Sequence, residues 1–283
     1  MKDTIIIPTD FSKASKEVVF YGVQLANDIN KMLHLVYVID DLKYHPELQP
    51  YRGINTNIPD KEQIEKETKV LFKELLLEIE KRFETRPKIQ VTVKSGVFAD
   101  VLIELSKLDS TYVLMLVGEH DKGLLKKDLE ASEGRILNES ESPVWIVPEN
   151  IKYRQLNKIV YAPQMKKNDI DALGHLVSMA KIYNAQIYAI YENAAEDFEE
   201  KIRNIGFEEL AKRELKYKLI DFQTIKGGKG YESVNEFARK IHAELIAIMK
   251  EDRPLIEEII GSNEIKEMIL SANLPVVVYH EMG

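Results

Sequence analysis

The sequence predicts an α/β protein made of two tandem copies of one domain, and three observations carry that prediction. Strand and helix signals alternate along the first half. The same order of signals returns in the second half. The 283 residues exceed one typical α/β sheet but suffice for two, each with a core of its own.

The chain opens on its most informative stretch, Ile5-Ile6-Ile7-Pro8-Thr9-Asp10-Phe11-Ser12. A β-branched apolar run ends at Pro8, and a Pro, an Asp and a capping Ser lead into an amphipathic helix, as where a buried parallel strand empties onto a helix N-terminus. In open α/β sheets that junction borders the ligand crevice at the carboxyl ends of the strands, so Asp10 can contact a ligand. Alternatively Asp10 and Ser12 only cap the helix, which is the first reading of the junction taken alone. Both readings stay open at this point.

The helix that follows carries Val18, Tyr21, Gly22, Leu25 and Ile29 at helical spacing, and Leu33 to Ile39 is a short apolar strand, which completes a β-α-β unit. Asp40 to Asp60, with three prolines, is longer than loops in compact domains usually are and is expected to be a lid or a disordered excursion. From Lys61 a long helix presents Ile64, Leu71, Phe72, Leu75, Ile79 and Phe83 on one face until Pro87 closes it. Ile89 to Val93 alternates as a strand that Gly96 breaks, Val97 to Leu108 reads as a helix, and Tyr112 to Val117 is a buried strand. A polar segment leads to a helix ending near Asn138, and Pro143 to Val147 supplies the fifth strand.

In the second half, Lys158 to Pro163, Ala185 to Tyr191, Tyr217 to Ile225, Leu245 to Met249 and Pro275 to Tyr279 repeat those five strands. Pro148 to Gln155 is the natural linker, so the expected domains are residues 1–149 and 150–283. The long loop after the second strand has only a short counterpart after Tyr191.

Composition limits the function. A net charge of -8 argues against a nucleic-acid binder, because phosphate neutralisation needs a basic face. No apolar run is long enough to cross a bilayer, and no secretory leader precedes the first strand. The lack of cysteine excludes a disulfide, a thiolate zinc site and a cysteine nucleophile. A cytoplasmic location is the expectation. The histidines show no paired ligand spacing and the serines lack a strained nucleophile turn, so neither a metal site nor a catalytic constellation is expected. Gly227-Gly228-Lys229-Gly230 lacks the hydroxyl residue a P-loop needs after its lysine and reads as a flexible turn.

Pro8-Thr9-Asp10-Phe11-Ser12 with Ala14-Ser15, a strand ending Val117-Gly118, and Ile136-Leu137 leading into Pro143-Val144-Trp145-Ile146-Val147 resemble a universal stress protein domain. The second half, with Glu244 to Met249, Gly261-Ser262 and Pro275 to Val278, is similar to a more divergent copy. The resemblance to the tandem type of that family implies two doubly wound, Rossmann-like domains, each a five-stranded parallel sheet with helices on both faces. It also implies a stress-response role and, in one branch, ATP at the carboxyl edge of the sheet. Right-handed crossovers lead to the same fold on physical grounds.

That branch is marked by Gly-x-x-Gly after the fourth strand and by Gly followed by Ser or Thr further on, where bare backbone N–H groups and a hydroxyl meet phosphate. Gly118 matches the first glycine, but Asp121 takes the second place, and the later pair reads Ala131-Ser132 or Glu130-Ala131 by the direction of counting. In the second copy Lys250 and Arg253 replace both glycines and Gln164 stands where the adenine-contacting Asp would be. The expected crevice residues are therefore Asp10 and Gly118, with weaker roles for Lys122 and Ser132; Lys122, Lys126 and Lys127 otherwise form a solvated basic turn. The favoured function is a non-enzymatic stress-response protein with degraded ATP motifs and no bound cofactor. The alternative is an ATP- or AMP-binding protein with slow or no hydrolysis and its site in the first copy. A binding module for another small molecule is a third class, since one crevice serves many ligands. The copies are expected to pair as an internal pseudo-dimer through their apolar last strands, with a homodimer also open.

Overall fold

The computed structural model describes residues 3–40, 61–108, 110–117, 132, 134–164, 169–193, 198–226, 231–249 and 273–279. The expected lid from residue 41 to 60 lies outside them. So do Gly118, Asp121, Lys122, Lys126, Lys127, Glu130 and Ala131, and in the second half the Gly227 to Gly230 turn, Lys250, Arg253 and Gly261-Ser262. The chain divides into two compact units, Met1–Val144 and Trp145–Gly283.

The first unit begins with β1 (Thr4–Pro8), α1 (Lys13–Asp28) and β2 (Met32–Asp40), followed by α2 (Lys61–Arg82), β3 (Ile89–Gly96), α3 (Phe98–Lys107) and β4 (Ser110–Val117). Its strand order is β3-β2-β1-β4, and the β1–β2, β2–β3 and β1–β4 pairs are all parallel. The chain walks outward from β1 to β3 and then returns to the other side of β1. Right-handed crossovers in opposite directions place helices on opposite faces, which is the doubly wound arrangement. Residues 134–139 are helical, and the Val113 N–H donates to the Pro143 carbonyl at 3.0 Å as the chain enters β5 (Val144–Pro148).

The second unit continues through β6 (Lys158–Ala162), α4 (Asp169–Tyr183), β7 (Gln186–Asn193), α5 (Phe198–Leu215), β8 (Ile220–Lys226), α6 (Tyr231–Ile241), β9 (Leu245–Met249) and β10 (Val276–Tyr279). It repeats the order as β8-β7-β6-β9-β10, again with parallel pairs. The repeat extends to backbone detail. Asn30 and Asn184 both take left-handed φ, at 53° and 54°, just past the first helix of their copies. There the Lys31 and Ala185 N–H groups donate to Ala26 and Ala180 at 2.8 and 2.9 Å, closing the orphan carbonyls of each helix end.

The central strands are buried on both faces and so read as continuous apolar runs: Ile5, Ile7, Leu33, Leu35 and Val113 in the first copy, and Ile159, Val160, Ile246 and Val277 in the second. Helix α1 lies so close to the sheet that a side chain at Gly22 would collide with Ile7 and Leu114. It is tied to α2 by Lys16–Glu78 at 2.9 Å and by Arg82, whose guanidinium sits 4.1 Å over the Phe20 ring.

Three expectations shift at their edges. On α2 the buried stripe is Ile64, Thr68, Phe72, Leu75 and Ile79, while Leu71 is 40% exposed. Strand β3 runs on to Gly96, whose φ of 147° ends it. Tyr217 precedes β8 rather than opening it, and its hydroxyl donates to the Ala185 carbonyl at 2.7 Å.

Candidate functional site at the carboxyl ends of the first strands

In each copy the strand order reverses beside the first strand, and the loop leaving that strand lies at the carboxyl end of the sheet there. In the first copy this loop is Thr9 to Ser12. The Thr9 N–H extends the ladder by donating to Val36 at 2.9 Å, which carries β1 one residue past Pro8. Its buried hydroxyl lies 3.1 Å from the Ser15 hydroxyl and accepts the Phe11 N–H, also at 3.1 Å. That turn holds Phe11 at φ 61°, a conformation a bulky residue rarely adopts. The ring is supported in return, stacked on Tyr37 at 5.6 Å and edge-on to Phe72 at 4.9 Å.

Asp10 then closes an Asx turn, its Oδ1 accepting the Ser12 N–H at 2.9 Å, and Ser12 caps α1 by accepting the Ser15 N–H at 3.2 Å. Partial burial pushes the Asp10 carboxyl up, but hydrogen bonds from Ser12 and Ser15 outweigh it and leave its pKa below the ordinary value. The carboxylate is thus ionised, pre-oriented and still exposed to solvent at the crevice. Asp10 holds the turn whose Ser12 caps α1, and its carboxylate stays open to solvent. Of the other expected site residues, Ser132 is helical and half-buried, while Gly118 and Lys122 fall outside the described residues.

The second copy builds the same place differently. Gln164 follows β6 and donates its Nε2 to the Met249 carbonyl at the end of β9, at 2.9 Å, so its side chain bridges the point where the strand order reverses. Beneath it Asp169, fully buried in the first turn of α4, accepts the Tyr161 hydroxyl at 2.7 Å and the Gln164 N–H at 3.1 Å. Burial and that carboxylate hold the Tyr161 phenol well above its ordinary range, so it remains a donor. Sequence reasoning missed Asp169 and Tyr161. Asp169 had a detectable signal, an acid opening a helical apolar pattern, but its link to Tyr161 is tertiary.

Among the described residues there is no cluster of three or more His, Asp or Glu able to hold a metal, and no helix long and apolar enough to cross a membrane.

These features define a tandem, doubly wound α/β protein with a polar turn at the carboxyl edge of its sheet. The profile of the Universal stress protein family matches residues 1–148, and the chain belongs to that family. A universal stress protein from Archaeoglobus fulgidus DSM 4304 superposes with a TM-score of 0.73 at 19% identity, over 99% of this chain and 97% of that one. A putative universal stress protein from Pseudomonas aeruginosa UCBPP-PA14 gives 0.59 at 13% identity, covering 99% and 92%. A functionally unknown protein from Pseudomonas aeruginosa PAO1 gives 0.60 at 12%, with the same coverage. At these identities the likeness is one of fold, and it spans both halves. No curated protein matches the chain in sequence.

Proposed function

We propose that this chain serves in a stress response, a reading that its family membership supports. We propose that it acts without catalysis, as two tandem domains of residues 1–149 and 150–283, and that any small ligand is held in the first copy beside Asp10. The observation that carries this reading is the contrast between the two crevices. Asp10 presents an ionised, solvent-facing carboxylate on a strained, rigid turn, whereas Gln164 spans its own crevice and is tied to Met249.

ATP is a poor candidate. In the sequence motif Asp121, and in one register Glu130, replace the glycines that mark phosphate binding, and each uncompensated like-charge contact with a phosphate costs roughly a few kcal/mol. ATP is expected to bind at or above ~1 mM unless magnesium or the nearby lysines offset the repulsion, with a nucleoside or another uncharged ligand penalised less. The packing proposed for the copies is an internal pseudo-dimer through β5 and β10, both apolar and buried along their whole length. Denaturing the purified protein and identifying released small molecules by mass spectrometry tests the ligand reading. An empty protein, or an uncharged ligand, agrees with it; ATP or AMP in stoichiometric amount overturns it in favour of a nucleotide-binding protein.

A further inference from the structure

Strand β3 closes the order of the first unit, with β2 on one side and no strand on the other among the described residues. The Leu33 N–H donates to the Lys88 carbonyl at 2.9 Å, and Leu33 lies opposite Ile89 in register. In a parallel ladder successive residues turn their backbone groups alternately toward and away from the neighbour, so Ile89, Val91, Val93 and Ser95 send theirs outward. Among the described residues that is a run of donors and acceptors with no ladder partner. Ile89, Val91 and Val93 also share one face of the sheet, and Val91 is 39% exposed.

On that face Ile89 joins the outer side of α2 in an open groove of about 720 Å³. Its floor includes Leu77, which is 54% exposed although it points from a helix whose opposite stripe is fully buried. Its rim carries Lys73, Arg86 and Lys88, and its acid, Glu80, is already paired with Arg86. A chain with a net charge of -8 thus places a surplus of cations around an apolar groove beside an open strand edge.

We infer that this edge docks an extended, acidic peptide, which adds a strand to β3 and lays alternate apolar side chains into the groove. Backbone pairing supplies the attachment and the side-chain groove the selectivity, as in strand addition generally. The charges choose the occupant: a second copy would set one cationic rim against another, whereas acidic side chains complement Lys73 and Lys88. The surface is remote from Asp10 in sequence and element, and the inference is independent of what the crevice binds.

The probe is a fluorescein-labelled, end-blocked octapeptide of alternating Val and Glu, compared by anisotropy with its Val-Lys counterpart on the intact chain. The Val-Glu peptide should bind saturably below about 1 mM, at least about tenfold more tightly than the Val-Lys peptide, and should weaken as salt is added. Val91→Pro removes an outward N–H and no ladder bond, a substitution edge strands tolerate, and should weaken binding by about tenfold or more. The double variant Lys73→Glu, Lys88→Glu leaves the backbone untouched and should reverse the preference between the peptides even if Val91→Pro folds poorly. No binding by about 1 mM, equal binding of the two peptides, or binding unaffected by either variant overturns the proposal. So does a mass by light scattering that doubles with concentration in the intact chain and not in Val91→Pro, since a second copy would then own the edge.

Discussion

The Asp10 carboxylate stabilises its turn as an anion, and pH reads that contribution out. Its folded pKa is depressed, so the stability it adds is fully present above its unfolded value, about 3.9, and is lost as pH falls through the lower folded value. Asp10→Asn keeps the Asx acceptor but not the charge. The gap in urea midpoint between wild type and this variant should therefore be largest near neutral pH and shrink toward zero in acid; a gap that widens in acid contradicts the assignment. Ser12→Ala removes the cap together with the Ser12 side-chain hydrogen bond to Asp10, and should cost about 0.5–2 kcal/mol, measured by urea unfolding. This part of the site was legible because an Asx turn and an N-cap are local, written within Thr9 to Ser15. Tyr161 with Asp169, and Phe11 with Tyr37 and Phe72, were not legible because each joins residues that only the folded sheet brings together.

At the scale of elements, periodicity located every strand it could and faltered where two periods compete. On α2 the spacing admits Leu71 or Thr68 in the inward stripe, and hydropathy favours leucine. Packing on β2 and β3 chose the row through Thr68 and Phe72, which leaves Leu71 partly in water. The tight seat of α1 was signalled only by a glycine within a helical pattern. Gly22→Val should destabilise the chain by about 1–3 kcal/mol because Ile7 and Leu114 must move to admit it, despite valine's better helix propensity. A thermal melt reads this out, and an unchanged midpoint would show that α1 can lift from the sheet at little cost. Strand β5 gives a second check: Trp145 is fully buried, and Trp145→Ala should cost about 3–5 kcal/mol.

For the whole molecule, the tandem repeat was readable because each copy restates the same strand pattern, and the structure repeats its order down to the left-handed Asn30 and Asn184. The divergence between copies was readable as missing motif residues and as the short counterpart of the long loop. How the second crevice uses the space, with Gln164 clamped to Met249, depends on strands distant in sequence. The proposed pseudo-dimer predicts that chain cut near Glu149 yields halves that aggregate or reassociate by size-exclusion chromatography, since each half would expose an apolar last strand; two well-behaved monomeric halves would refute it. The central claim is that the first crevice, not the second, holds what this protein binds and that it disfavours a triphosphate. Calorimetric titration of the intact chain, Asp10→Ala and Ser262→Ala with adenosine, AMP and ATP tests it most directly. The account predicts ATP binding no tighter than ~1 mM, a smaller penalty for adenosine, and loss of any binding in Asp10→Ala alone. Tight ATP binding that survives Asp10→Ala and disappears in Ser262→Ala would contradict it.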